Sequence, residues 1–311
     1  MKNSFFGLQF HNRQEIFMLV YTSLQAFFVG AFLALFFIGS HVLFFQSWTS
    51  SLIPKAFIIS GIFGIILFTL YSFLINRTYF RRFAFYSLLF LFIVNGIVFW
   101  FYDSILSVSF FGIPVMLPFT LAIPFTFLVM VLFRRSLTTI YAPVQHRKFY
   151  PVFRMALMAG IVLASYSLTA VLYFNFDVLL ITGGSTIFAG LATIMQIIIN
   201  RYHKKAGVFP PMARHPMQLR SRFYEMFYSK YTLILLAFVL LSAVTGFILH
   251  YHFIATTRIN YPNTIGLAKF LSFFMGTTFL FEFAVERFLL RKILYTYDSP
   301  YSLVLIPSLL A

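Results

Sequence analysis

Phe17–Ile38 reads FMLVYTSLQAFFVGAFLALFFI, and the apolar character runs on to Phe45. A helix needs roughly 20 apolar residues to cross about 30 Å of hydrocarbon, and this stretch supplies them. It is much longer than the roughly 7–15-residue apolar core of a cleavable signal peptide. It predicts a first transmembrane helix.

The rest of the chain agrees. Of 311 residues, 61% are hydrophobic and 10% are charged, against about 25% charged in an ordinary soluble domain. So few charges cannot cover the surface of a soluble protein this long. The 46 Phe and 18 Tyr suit acyl chains and the headgroup boundary. Further apolar runs predict spans near Phe57–Ile75, Phe83–Phe101, Phe110–Phe133, Met155–Phe174, Val178–Ile199, Tyr231–His250 and Ile265–Phe288. Period-two alternation is missing, which argues against a β-barrel. The expected fold is an all-α polytopic bundle of eight spans. A ninth run begins near Pro300 and stops at Ala311 without a closing charge, which predicts a truncated chain.

The basic residues orient the bundle. Of the 23 Lys and Arg, all but Lys55, Arg258 and Lys269 fall at the N-terminus or in the loops after spans two, four, six and eight. Cytoplasmic loops carry such an excess, so the N-terminus is expected in the cytoplasm and the chain in the inner membrane. The net charge of +16 is then topogenic and drawn to anionic lipid, not a nucleic-acid surface. Cysteine is absent, which excludes disulfides, thiolate catalysis and Cys-based metal sites.

Residues 1–200 form a six-helix half, 201–230 a basic loop, and 231–311 the start of a second half. In the loop, Pro210, Pro211 and Pro216 forbid a continuous helix. Beyond them Leu219, Phe223 and Phe227 share one helical face, either an interfacial helix or a plain linker. Six spans, a basic loop and more spans is the plan of major-facilitator transporters.

Polar groups in hydrocarbon are costly and therefore informative. Gln25, Asn95, Gln196 and Glu282 are the substrate-cavity candidates. For Gln25 and Asn95 the plainer alternative is an interhelical hydrogen bond. Glu282 either pairs with Arg287 or Arg291, snorkels, or faces a cavity as a proton or cation site. His41 reads as an interfacial residue at the outer surface. Small residues recur at four-residue spacing in Ala26-Gly30-Ala34, Ala156-Gly160-Ala164 and Thr182-Thr186-Gly190. Such faces permit close helix packing or sliding. Pro114, Pro118 and Pro124 predict a bent span four.

No Walker motif, GxSxG elbow or HExxH motif occurs, and neither a cofactor nor a metal is expected. The seven acidic residues are scattered, so an enzyme is not the expectation.

Three stretches carry a family resemblance: Ser51–Gly61 (SLIPKAFIISG), Gln145–Arg154 (QHRKFYPVFR) followed by Gly160, and Leu267–Gly276 (LAKFLSFFMG) followed by Arg291 and Pro307. In these the chain resembles the bacterial major-facilitator-like branch related to ATP/ADP (nucleotide) translocases. The resemblance covers most of the chain and implies a twelve-helix transporter of the inner membrane, with nucleotide or another small anionic solute as its exchanged substrate. The chain departs from that pattern in its fifth span, which has no acidic residue, and in lacking an intramembrane basic cluster for a triphosphate. No substrate-binding residue is carried over. The function expected is alternating-access transport. The alternatives are a non-transporting anchor or sensor for a soluble domain, and a polytopic lipid-modifying enzyme.

Overall fold

The computed structural model describes residues 4–5, 8–9, 13–47, 52–77, 80–100, 113–141, 143–174, 179–206 and 230–285. Within them run α1 (Arg13–Ser47), α2 (Ile53–Arg77), α3 (Phe80–Trp100), α4 (Ile113–Ile140), α5 (Pro143–Tyr173), α6 (Leu179–Ala206), α7 (Lys230–Asn260) and α8 (Thr264–Ala284). Ahead of α1, β1 (Ser4–Phe5) pairs antiparallel with β2 (Leu8–Gln9). The proposed loop helix, Glu286, Arg287, Arg291 and the run after Pro300 lie outside the described residues.

Seven of the helices are long and apolar enough to cross a membrane. The apolar part of α3, Ala84–Trp100, is shorter, about 26 Å at 1.5 Å per residue. Ile58, Ile62, Ile65, Ile66 and Leu70 of α2, with Leu235, Phe238, Leu241, Val244 and Ile248 of α7, are exposed. A monomer in water does not carry apolar surface on that scale. The chain is a multi-pass helical membrane protein.

Several helices outrun the spans expected of them. Helix α5 begins at Pro143, so the basic stretch Gln145–Arg154 forms its first turns. Proline suits the first helical position, where its missing N–H has no partner to lose. Helix α7 continues past His250 to Asn260 and ends just before Pro262, as the residue preceding a proline resists helical geometry. Hydrophobicity marks the hydrocarbon, but backbone hydrogen bonding persists until a breaker stops it. Helix α4 is continuous through Pro118 and Pro124, which membrane helices tolerate. Helix α8 starts from Asn263, whose side chain accepts from the Ile265 N–H at 3.1 Å.

Helix α1 lies at the centre because it is apolar on all its faces. It packs most extensively on α5 and α6, and also on α4 and α8. Helix α2 packs on α4, α3 on α6, and α5 on α8. Phenylalanines fill the middle. Phe36 stacks between Phe32 and Phe125 at ring distances of 5.5 and 5.8 Å, and Phe44 on Phe119 at 4.3 Å.

The α1–α5 seam is a reciprocal glycine crossing. A Cβ on Gly30 would lie 2.1 Å from the Leu157 carbonyl oxygen, and one on Gly160 would lie 2.0 Å from that of Phe27. Two of the small-residue faces thus meet each other, backbone against backbone. The third, on α6, receives the rings of α3. A Cβ on Gly190 would meet Phe92 at 3.1 Å.

Candidate functional site

Polar side chains tie the helices together, and four such places among the described residues hold the candidates that the sequence offers. In the first, Gln25 of α1 donates from Nε2 to Gln196 Oε1 of α6 at 2.6 Å. Gln196 in turn donates to Asn200 Oδ1 at 3.0 Å. Both glutamines are 2% exposed, and Gln25 Oε1 has no hydrogen-bond partner among the described residues. Together with Ser136, Ala84, Leu88 and Val129 they line a cavity of about 10 Å³. That is the volume of about one water molecule, and Oε1 offers such a water an acceptor.

In the second, Asn95 of α3 donates from Nδ2 to Ser185 Oγ and to Thr186 Oγ1 at 3.1 Å. Both hydroxyls donate onward to the Thr182 carbonyl, at 2.9 and 2.8 Å. Along α6 this cluster lies about 16 Å from Gln196, from eleven residues at 1.5 Å rise.

The third is the α5–α8 seam. Arg154 Nη2 donates to Glu282 Oε1 at 3.2 Å. Thr169 and Ser272 share a hydrogen bond at 2.7 Å, and Tyr166 and Thr277 share one at 3.0 Å. Gly276 lets α8 approach Ser165 and Tyr166, within 3.3 Å of where its Cβ would be. The ion pair is open, with side-chain exposures of 41% and 45%.

The fourth joins α1 to α7. His41 Nε2 lies 3.3 Å from His250 Nε2. His41 is 1% exposed, not interfacial as its place near the end of an apolar run predicts. Helix α1 runs on to Ser47, which carries His41 inside the bundle.

Two of the four candidates, Gln25 and Gln196, are bonded to each other. Asn95 and Glu282 belong to different seams. The partner of Glu282 among the described residues is Arg154, whose place in a basic stretch reads as topogenic. No sequence spacing links positions so far apart, and the same holds for His250.

Below the α1 core, Tyr141 is buried and shares a hydrogen bond with Thr22 Oγ1 at 3.1 Å. Burial raises the pKa of its phenol, and the bond to Thr22 offsets only part of that rise. Between α7 and α8 lies an open cleft of about 580 Å³, lined by His252, Thr256, Thr257, Asn260, Tyr261 and Phe270 among others. Among the described residues no three of His, Cys, Asp and Glu gather where a metal ion could be held. Among the described residues the chemistry on display includes hydrogen bonding, the Arg154–Glu282 ion pair and the His41–His250 imidazole pair.

Comparison with known protein families, with curated proteins and with solved structures finds no match to this chain.

Proposed function

We propose that the chain is a secondary transporter of major-facilitator type that works by alternating access, with six spans forming its first half. Its N-terminus faces the cytoplasm of an inner-membrane protein, in line with the distribution of Lys and Arg. Its partners are a small solute, nucleotide or another anion, and anionic lipid at the basic face. The observation that carries this reading is the contrast between two seams. The α1–α5 crossing is backbone against backbone, close packing with no room for water between the helices. The α5–α8 seam, where the second half meets the first, is held by hydroxyl pairs and an open ion pair. Such contacts are individually weak and can be remade with water, as a seam that opens and closes requires.

The test is saturable uptake of labelled ATP and ADP by cells expressing the protein, against an empty-vector control and with other labelled anions in parallel. Glu282→Gln is expected to impair coupled exchange. A charge swap, Arg154→Glu with Glu282→Arg, is expected to recover part of it. If no anion is taken up by protein confirmed in the membrane, the transport reading fails. A second reading, a membrane anchor for a soluble domain, draws support from the cavity at Gln25 and Gln196, which is too small for a solute.

A further inference from the structure

His41 Nδ1 lies 2.7 Å from the Phe37 carbonyl oxygen. A carbonyl only accepts, so Nδ1 carries the proton and donates. In the neutral ring Nε2 is then a bare lone pair. It faces His250 Nε2 at 3.3 Å, so His250 carries its proton on Nε2 and donates it to His41. The tautomers of both rings follow from one backbone contact. A tetrahedral metal ion between the two nitrogens would need further ligands, and among the described residues no third His, Cys, Asp or Glu gathers with the pair.

Among the described residues every ring packed on the pair is phenylalanine. Phe37 lies 4.1 Å from the His41 ring and Phe119 of α4 lies 4.9 Å from it. Phe57 of α2 lies 5.7 Å from the His250 ring. Ser40 adds a hydroxyl 3.4 Å from His41 Nδ1. No acidic group from α1, α2, α4 or α7 touches the pair among the described residues. The charged groups on the neighbouring turns are turned elsewhere. Lys55 of α2 is exposed, and Arg258 of α7 donates to the Pro262 carbonyl at 2.7 Å and lies over the Phe45 ring.

We propose that the His41–His250 pair is a proton-sensitive latch that holds α7 on α1 when neutral and releases it on protonation. A first added proton goes to His250 Nδ1 and leaves the Nε2 bridge intact. It also places a whole positive charge among phenylalanines with no counter-ion. The charge strengthens the bridge and gains cation–π attraction. Those gains are smaller than the hydration the cation gives up. A second proton sets N–H against N–H and abolishes the bridge. Water is within reach if α7 moves, since His250 is only partly buried and the open cleft between α7 and α8 begins beside it at Leu249 and His252. The proton therefore binds more tightly to the separated arrangement, and acid shifts the population toward it. The contact is closed at alkaline pH and opens as pH falls. The device depends on this geometry and not on whether the chain transports.

The chain has no cysteine, so two can be introduced cleanly. Ile187→Cys on α6 and Leu241→Cys on α7 are both exposed sites for spin labels. Their distance distribution would be measured for the whole chain in lipid nanodiscs from about pH 8 to about pH 5, the range in which histidine changes charge. A longer population that grows reversibly with acid is expected. It should vanish in His41→Gln/His250→Gln and in the milder His250→Gln, whose amide still donates to His41 Nε2. An unchanged distribution in the parent, or a pH response that survives in both variants, overturns the latch.

Discussion

Replacing Gly160 by alanine tests whether the bundle is built around the α1–α5 crossing. The added Cβ would lie 2.0 Å from the Phe27 carbonyl oxygen. An ordinary carbon–oxygen contact is about 3.3 Å, so the helices must part by about 1.3 Å. A gap of about 0.5–1 Å already forfeits a quarter to a half of the dispersion well between facing atoms. No side chain can rotate away to relieve the clash, because the obstacle is backbone. The cost belongs at the upper end of the overpacking range, about 3 kcal/mol. The controls are internal. Nothing lies within 4 Å of a Cβ built on Gly61 or Gly246, so alanine there should cost nothing and gain a little helix propensity. Gly30 meets the same seam from the other side, with 2.1 Å to the Leu157 carbonyl oxygen. Once one alanine has parted the helices, the second has less left to disrupt. Gly30→Ala/Gly160→Ala should therefore cost clearly less than the two single changes added together. The assay is unfolding by SDS in mixed micelles, followed by tryptophan fluorescence. If Gly160→Ala is as stable as Gly61→Ala, or if the two seam changes add fully, α1 and α5 do not cross in this way.

Asn95→Leu removes two hydrogen bonds but leaves Ser185 and Thr186 bonded to the Thr182 carbonyl. The same assay should show a loss of about 0.6–1.7 kcal/mol, the range for polar contacts between membrane helices. Gln196→Met should be worse than Gln25→Met. The first leaves Gln25 with donor and acceptor both buried and unpaired, at about 1–3 kcal/mol, whereas after the second Gln196 keeps its bond to Asn200. Equal losses would mean the pair is not oriented as described. For Tyr141, burial favours the neutral phenol, so the unfolded chain ionises first. Stability is complete below about pH 10 and falls as pH rises beyond it. Tyr141→Phe should flatten that alkaline loss in an unfolding series from pH 8 to about pH 11.

The membrane character is legible because hydrocarbon imposes a length and an apolar composition on each span; of the eight spans expected, seven are long and apolar enough to cross, and α3 has the shorter apolar part. Helix ends are less legible, since Pro143 and Pro262 set them, not the change in polarity at His250 or Met155. The small-residue faces are visible in sequence, but not that Gly30 meets the Leu157 backbone and Gly160 the Phe27 backbone; pairing requires knowing which helices are neighbours. Gln25 and Gln196 stand out singly for being polar in apolar runs; their bond to each other, and the small cavity both line, need the fold to be seen. Glu282 was conspicuous, but Arg154 was hidden among basic residues whose number is explained by topology. His250 looked like the end of a span, because nothing near it in sequence records that α7 continues for ten more residues.

The central place of α1 has a consequence for synthesis. Helix α1 is made before the other described helices and finds its closest partner, at Gly160, only after about 130 more residues have been added. At about 5–20 residues per second, α1 waits roughly 6–26 seconds with its crossing face bare. During that time α2, which packs on α4 and not extensively on α1, offers it no cover. The assembly step for this bundle is therefore the arrival of α5, and any factor that shelters a lone apolar helix acts before then.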